Sequence, residues 1–361
     1  MSFIEPNNYT REALLKRNNF NIIRLFAAIQ VFFTHAIDHL EIKNEYINFI
    51  YYNFIYYFPG VPIFFTISGF LIYASFDRNN SNLKKFFINR ILRIYPALYV
   101  CLGLTVVLLY NSDMKFLIFS LEFYKWLIAQ LSLAQFYTPD ILRTWGVGTP
   151  NGSLWTIFVE IQFYLIVPVI FLLTKKINKL YWLLLMFTFS LLINLIFNQN
   201  DTVFLKFFHL FVFKYLYYFL FGVISYVYWE NLYNIFLNKF LLITIFYILY
   251  FLIFGIYLNH PDIVSYILTS PFGFIGNLLL ALWTLSAAFS YKKKLIKIPF
   301  DIDISYGIYI YHMPIINFYI FCGLTSNTRH LFEVLIIVLI IALFSWLFVE
   351  KPFLKIKNYF F

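Results

Sequence analysis

Long apolar stretches separated by short polar segments run through the whole chain. A helix needs about 20 mostly apolar residues to cross a bilayer. Eleven stretches approach that length: 20–40, 51–76, 94–111, 116–137, 153–174, 180–197, 206–229, 239–258, 266–290, 304–323 and 331–349. The pattern predicts an all-α integral membrane protein. One stretch differs from the others: MKFLIFSLEFYKWLIAQLSLAQFY (114–137) carries Glu122 and Lys125 in its middle.

Basic residues collect in cytoplasmic segments of membrane proteins, and this orients the spans. If 116–137 rests on the outer surface without crossing, the lysine clusters KKINK (175–179) and KKKLIK (292–297) face the cytoplasm. If it crosses, both clusters face outward. The expectation is therefore a bundle of about ten transmembrane helices in the cell inner (cytoplasmic) membrane, with N- and C-termini cytoplasmic. Residues 1–19 form a cytoplasmic tail, 20–353 the transmembrane domain and 354–361 a second tail. The breaks FPGVP (58–62) and SPFG (270–273) interrupt two spans. Freed backbone groups at such breaks are tolerated where protein or a cavity satisfies them. No internal repeat, soluble domain or long linker is visible.

Composition agrees with this architecture. Of 361 residues, 62% are hydrophobic and 12% charged, whereas soluble domains are about half apolar and a quarter charged. The formal charge of +10 follows from topology, and no nucleic-acid partner is expected. The polar N-terminus lacks an apolar leader segment, so the first span is expected to act as the insertion signal. The 48 Phe and 30 Tyr read as lipid-facing bulk and interfacial belts. Cys101 and Cys322 fall near opposite ends of their spans, which argues against a disulfide.

Ionisable residues inside spans are rare and usually functional. The first span, NNFNIIRLFAAIQVFFTHAIDHL (18–40), holds Arg24 and His35. Eleven residues are three helical turns, about 16 Å along one face. A cation near the inner end and a titratable base further out therefore share a stripe. Asp38 and His39 follow His35 at i+3 and i+4 and can share its face. Asp38 either orients His35 or is solvated at the interface. NRILRIYP (89–96) sets Arg90 and Arg93 at i,i+3. Two forked guanidiniums suit phosphate or carboxylate, and they also suit ordinary anchoring at the inner surface. With Arg24 they outline a cytoplasmic site for an anionic, nucleotide-bearing donor. Glu160, in NGSLWTIFVEIQFYL (151–165), lies near the depth of His35. A buried carboxylate needs a partner or a proton. It either partners His35, binds an acceptor hydroxyl or forms a structural pair. His312, in SYGIYIYHMPI (305–315), is read as packing or chemistry, with Tyr309 placed to bond it. No set of residues with metal-ligand spacing, phosphate loop or nucleophile-elbow motif occurs, so no metal is expected.

These pieces in order resemble membrane acyltransferase family 3, the O-antigen and polysaccharide O-acetylase type. They are Arg24-x10-His35, VPIFFTISGFLIY (61–73), RILRIYP (90–96), SLWTIFVEIQFYL (153–165), SYGIYIYHMP (305–314) and VEKPF (349–353). The resemblance implies a bundle of about ten helices. It implies acyl-CoA, chiefly acetyl-CoA, as donor on the cytoplasmic side, and a carbohydrate hydroxyl as acceptor. It also implies roles for Arg24, His35, Arg90, Arg93 and Glu160. Members without an appended hydrolase-like domain act alone or with a separate partner, such as polysaccharide-assembly proteins. Pro62-Ile63-Phe64-Phe65 stands where the family carries an acidic D-L-F-F pattern. On this reading His35 takes the proton of a sugar hydroxyl, aided by Glu160 or Asp38, since a histidine titrating near 6.5 suits that work. The competing expectation is a transporter or flippase of lipid-linked sugars, whose binding sites also use broken helices.

Overall fold

The computed structural model describes residues 18–79, 81–175, 178–197, 208, 210–258, 273–290 and 302–360. Helices account for most of these residues, and no strand occurs among them. In order they are α1 (Phe20–His39), α2 (Glu45–Ile50), α3 (Gly60–Arg78), α4 (Leu83–Leu109), α5 (Leu121–Leu131), α6 (Trp155–Lys175) and α7 (Lys179–Phe197). There follow α8 (Leu216–Val227), α9 (Trp229–Phe236), α10 (Phe240–Leu258), α11 (Gly273–Phe289), α12 (Ser305–Phe321), α13 (Thr328–Ser345) and α14 (Lys351–Phe360).

Five described segments are long and apolar enough to cross a membrane: Phe20–His39, Glu45–Arg78, Leu83–Ser112, Gly152–Lys175 and Thr328–Ile356. The bent pair Trp229–Phe236 and Phe240–Phe254, which meets at 74°, makes a sixth when taken as one span. The sequence pattern predicts ten. Lys179–Asn194, Leu216–Val227 and Gly273–Phe289 are apolar but shorter. The expected stretches 206–229 and 266–290 extend beyond the described residues, as do SPFG and KKKLIK. Large apolar side chains point outward on several helices, among them Leu241, Ile253, Leu172 and Phe344. Water does not favour such faces and lipid does. The chain is a multi-pass membrane protein.

Two compact units divide the chain. The first holds the described residues up to Arg24, Gly60–Asn82 and the described part of Gln162–Pro299. Helices α3 and α8 pack here at two glycines. A Cβ on Gly69 would stand 1.9 Å from the Phe219 carbonyl oxygen, and one on Gly222 would stand 2.3 Å from that of Thr66. Each glycine therefore lies over the backbone one turn away from the other. Small residues permit this approach, the usual way helices associate in lipid. Phe70 packs against Phe20 at 5.5 Å and Phe289 at 5.3 Å between ring centroids, and Trp229 closes on Phe289 at 4.6 Å. The Tyr226 hydroxyl donates to Asp77 at 3.0 Å, which gives that carboxylate a partner beside the span.

The second unit holds Leu25–Pro59, Leu83–Ile161 and Phe300–Phe361. Its centre is α12, where every residue from Gly307 to Asn317 is buried. A helix apolar on all faces belongs in an interior. Gly307 lets α13 approach, since a Cβ there would meet Ala342 Cβ at 2.8 Å. Within its part of α1 the buried positions Ala27, Ala28, Val31 and Phe32 recur at helical spacing.

Helix α5 explains the odd stretch 116–137. Its eleven residues span about 16 Å, roughly half the hydrocarbon thickness. Ser120 caps its start by accepting from the Phe123 N–H. Tyr99 and Tyr95 donate to the Leu131 and Ser132 carbonyls at its end, each at 3.3 Å. Glu122 and Lys125 face outward and pair at 2.7 Å. The lysine's hydrogen bond holds the Glu122 carboxyl below its usual range. Phe123 and Trp126 point the other way, into a cluster with Trp145 and Leu142.

Candidate functional site

The second unit builds a polar centre around one defect in α12. Pro314 has no N–H, so the carbonyl four residues earlier, that of Ile310, loses its helical donor. A buried carbonyl left unpaired costs free energy. Asn151 Nδ2 donates to it at 2.8 Å and Cys101 Sγ at 3.2 Å. Asn151 also accepts from Ser153 Oγ at 2.7 Å. Asn317, fully buried one turn past the proline, donates to the Thr149 and Pro150 carbonyls and accepts from the Val147 N–H. Gly146 makes room for it at φ +56, where a Cβ would strike Asn317 Oδ1 at 2.1 Å. The loop 146–153 is thus clamped to α12 from both ends. Cys101 is buried and Cys322 exposed, and both are free thiols.

Two residues before Pro314, His312 is fully enclosed. Its Nε2 lies 2.8 Å from His35 Nδ1 on α1. Its Nδ1 lies 3.1 Å from the Ile308 carbonyl. The two imidazole planes differ by 8° and their centroids are 5.1 Å apart. Phe32 and Tyr309 wall the His312 ring at 6.4 and 6.0 Å. His35 is partly exposed, and its ring lies nearly parallel to that of His39, with centroids 5.7 Å apart.

Tyr309 links this pair to α6. Its hydroxyl meets Thr156 Oγ1 at 2.7 Å and donates to the Ser153 carbonyl at 3.1 Å. Glu160, one turn beyond Thr156, lies close enough to interact electrostatically with that hydroxyl. The structure thus brings together His35, His312, Tyr309, Thr156 and the vicinity of Glu160. Asp38 is placed differently. It is exposed, and the Tyr52 hydroxyl donates to its Oδ1 at 3.0 Å; no hydrogen bond joins it to His35.

The three arginines lie on α1 and α4. Arg90 and Arg93 are partly exposed on α4. Arg93 Nη2 bonds Asp303 Oδ2 at 2.6 Å, and Asp303 in turn accepts from Ser305 Oγ. Arg90 packs its guanidinium 5.7 Å from the Phe86 ring centre. Arg24, also partly exposed, lies eleven residues before His35 on α1. No group of three His, Cys, Asp or Glu suited to a metal occurs among the described residues.

Sequence reasoning did not single out Asn151 or Asn317, and it weighed Cys101 only as a disulfide partner. The signal that could have found them is Pro314, since a mid-span proline requires a replacement donor for the carbonyl four residues before it. It also left His312 between packing and chemistry.

Comparison with known proteins places the chain. The acyltransferase domain family matches residues 17–350. Nodulation protein 10 of Rhizobium leguminosarum bv. viciae is 29% identical over 353 residues, covering 95% of this chain and 94% of that protein. An O-acetyl transferase of Shigella phage Sf6 is 28% identical over 347 residues, covering 94% of this chain and 96% of that protein. Peptidoglycan O-acetyltransferase OatA of Listeria monocytogenes serovar 1/2a is 33% identical over 133 residues, covering 33% of this chain and 20% of that protein. No solved structure matches. The chain belongs to the acyltransferase family matched over 17–350, and it is an acyltransferase enzyme.

Proposed function

We propose that this enzyme moves an acetyl group from cytoplasmic acyl-CoA to a hydroxyl of a cell-surface polysaccharide or its lipid-linked precursor. Its setting is the inner membrane, with about ten spans and both termini cytoplasmic, the transmembrane domain running over 20–353. The names of two relatives, an O-acetyl transferase and a peptidoglycan O-acetyltransferase, support transfer to a carbohydrate oxygen. The carrying observation is His35: one ring nitrogen is held by His312 at 2.8 Å, and the ring lies eleven residues along one helix from Arg24.

On the family resemblance Arg24, Arg90 and Arg93 bind the phosphates of a coenzyme A donor, since guanidinium forks match such oxygens. Asp303 shares the Arg93 fork and fixes its direction. The bound donor supplies an activated thioester. His35 accepts the proton of the acceptor hydroxyl as that oxygen forms its bond to the acyl carbon, and gives the proton to the thiolate that departs as the thioester carbon–sulfur bond breaks. Glu160 and Tyr309 line the same centre and hold the acceptor hydroxyl or the charge that develops on His35.

Transfer of labelled acetyl from acetyl-CoA to a glycan acceptor by purified, monodisperse protein tests this. His35→Ala should cut the rate on the order of a hundred- to ten-thousand-fold while coenzyme A still binds. Glu160→Gln, which keeps shape and removes charge, should also slow transfer. Near wild-type transfer by His35→Ala would refute the mechanism.

A further inference from the structure

We propose that His312 is a positioning residue: it holds His35 in the tautomer with the proton on Nδ1, and so presents His35 Nε2 as the basic nitrogen. The inference rests on the acyl-transfer reading for its purpose and on geometry alone for the proton's place.

Two ring nitrogens 2.8 Å apart must share a hydrogen. The planes are within 8° and the centroids 5.1 Å apart. That combination describes rings edge to edge in nearly one plane, with the hydrogen bond along the line between them. Face-to-face stacking cannot bring two nitrogens so close. Which ring donates is decided on the far side of His312. Its Nδ1 stands 3.1 Å from the Ile308 carbonyl, and a carbonyl oxygen only accepts, so that Nδ1 carries a hydrogen. A neutral imidazole has one N–H, and a fully enclosed ring is held neutral because an unpaired buried charge is costly. Its Nε2 is therefore a lone pair. His35 Nδ1 must donate to it, which leaves the His35 lone pair on Nε2. The hydrogen bond made by one ring nitrogen sets the role of the other.

The chemistry balances without moving a proton on His312. The acceptor hydroxyl proton passes to His35 Nε2, the oxygen–acyl bond forms, the thioester carbon–sulfur bond breaks, and the proton goes on to the thiolate. While His35 is cationic its Nδ1–H bond to His312 strengthens, as charge-assisted hydrogen bonds do. Phe32 and Tyr309 against the His312 ring keep it from turning away.

Six histidines make the test tractable. The full chain, labelled with nitrogen-15 histidine in lipid nanodiscs, is assigned with His35→Gln and His312→Gln variants. A proton-bearing His35 Nδ1 facing a bare His312 Nε2 is expected, and a mixture of His35 tautomers in His312→Leu. A proton on His35 Nε2 in the wild-type protein would overturn the proposal. In kinetics, His312→Leu should lower kcat about a hundredfold or more, since wrong-tautomer bases lose rates of that order, with KM for acetyl-CoA unchanged. His312→Gln, whose side-chain oxygen can accept from His35 Nδ1–H, should recover much of the loss. Equal kcat for His312→Leu and wild type would also overturn it. Absence of transfer by the wild-type protein would instead count against the acyl-transfer reading, and the nitrogen signals would still decide where the proton sits.

Discussion

Asn151 donates to the carbonyl of Ile310 across 2.8 Å, and that carbonyl is the one Pro314 strips of its helical donor. A polar loop residue thereby completes a helix broken by a proline more than 160 positions later in the chain. The same helix carries His312, so this repair holds the site in place.

Removing the repair should be measurable. Asn151→Ala leaves a buried carbonyl with only the weak Cys101 thiol, at a cost of about 1–3 kcal/mol. Pro314→Ala restores an N–H to the helix. In a double-mutant cycle followed by thermal unfolding in detergent, the pair should therefore lose less stability than the sum of the single variants. Strict additivity would disprove the coupling.

The arginines make separable predictions. Arg24→Lys and Arg90→Lys should each weaken coenzyme A binding on the order of tenfold, because lysine keeps the charge and loses the fork. Asp303→Asn removes the partner of Arg93 and should lower thermal stability, by about 1–3 kcal/mol for this partly exposed pair. Isothermal titration with coenzyme A would register the first effect. Unchanged affinity in both lysine variants, and in Arg93→Lys, would remove the arginines from donor binding.

The crossing of α3 and α8 tolerates no side chain. Gly69→Ala would set a Cβ 1.9 Å from the Phe219 carbonyl oxygen, and backbone cannot rotate aside. Both Gly69→Ala and Gly222→Ala should destabilise by about 1–3 kcal/mol or more, read as a lower melting temperature and less monodisperse protein. Gly103→Ala serves as control, since no atom lies within 4 Å of the Cβ it would add.

The ten-span orientation predicts that single cysteines at 138–152 react with an impermeant reagent from outside, and those at 175–179 do not. The eleven residues of α5 are too few to cross, which motivates the expectation. Labelling of 175–179 without labelling of 138–152 would reverse it.

Local pattern determined a good part of this protein. The apolar stretches, their helical period, and the Arg24–His35 stripe on α1 follow from residues within a few turns of one another. The oddity of 116–137 is local too, since Glu122 and Lys125 sit in the stretch itself. The family motifs are equally local. Tertiary structure decided what those residues touch. His35 and His312 are 277 positions apart, and no periodicity couples two such positions. Asp38, three residues from His35, turns instead to Tyr52, because a helix sets direction but the neighbouring segment decides the partner. The spacing on α4 reads Arg93 as a fork for phosphate or carboxylate, and Asp303, 210 residues on, takes one arm of it. Helix geometry is written in short-range spacing. Hydrogen-bond partners and proton positions are chosen by which helices pack together, and only the folded chain makes that choice.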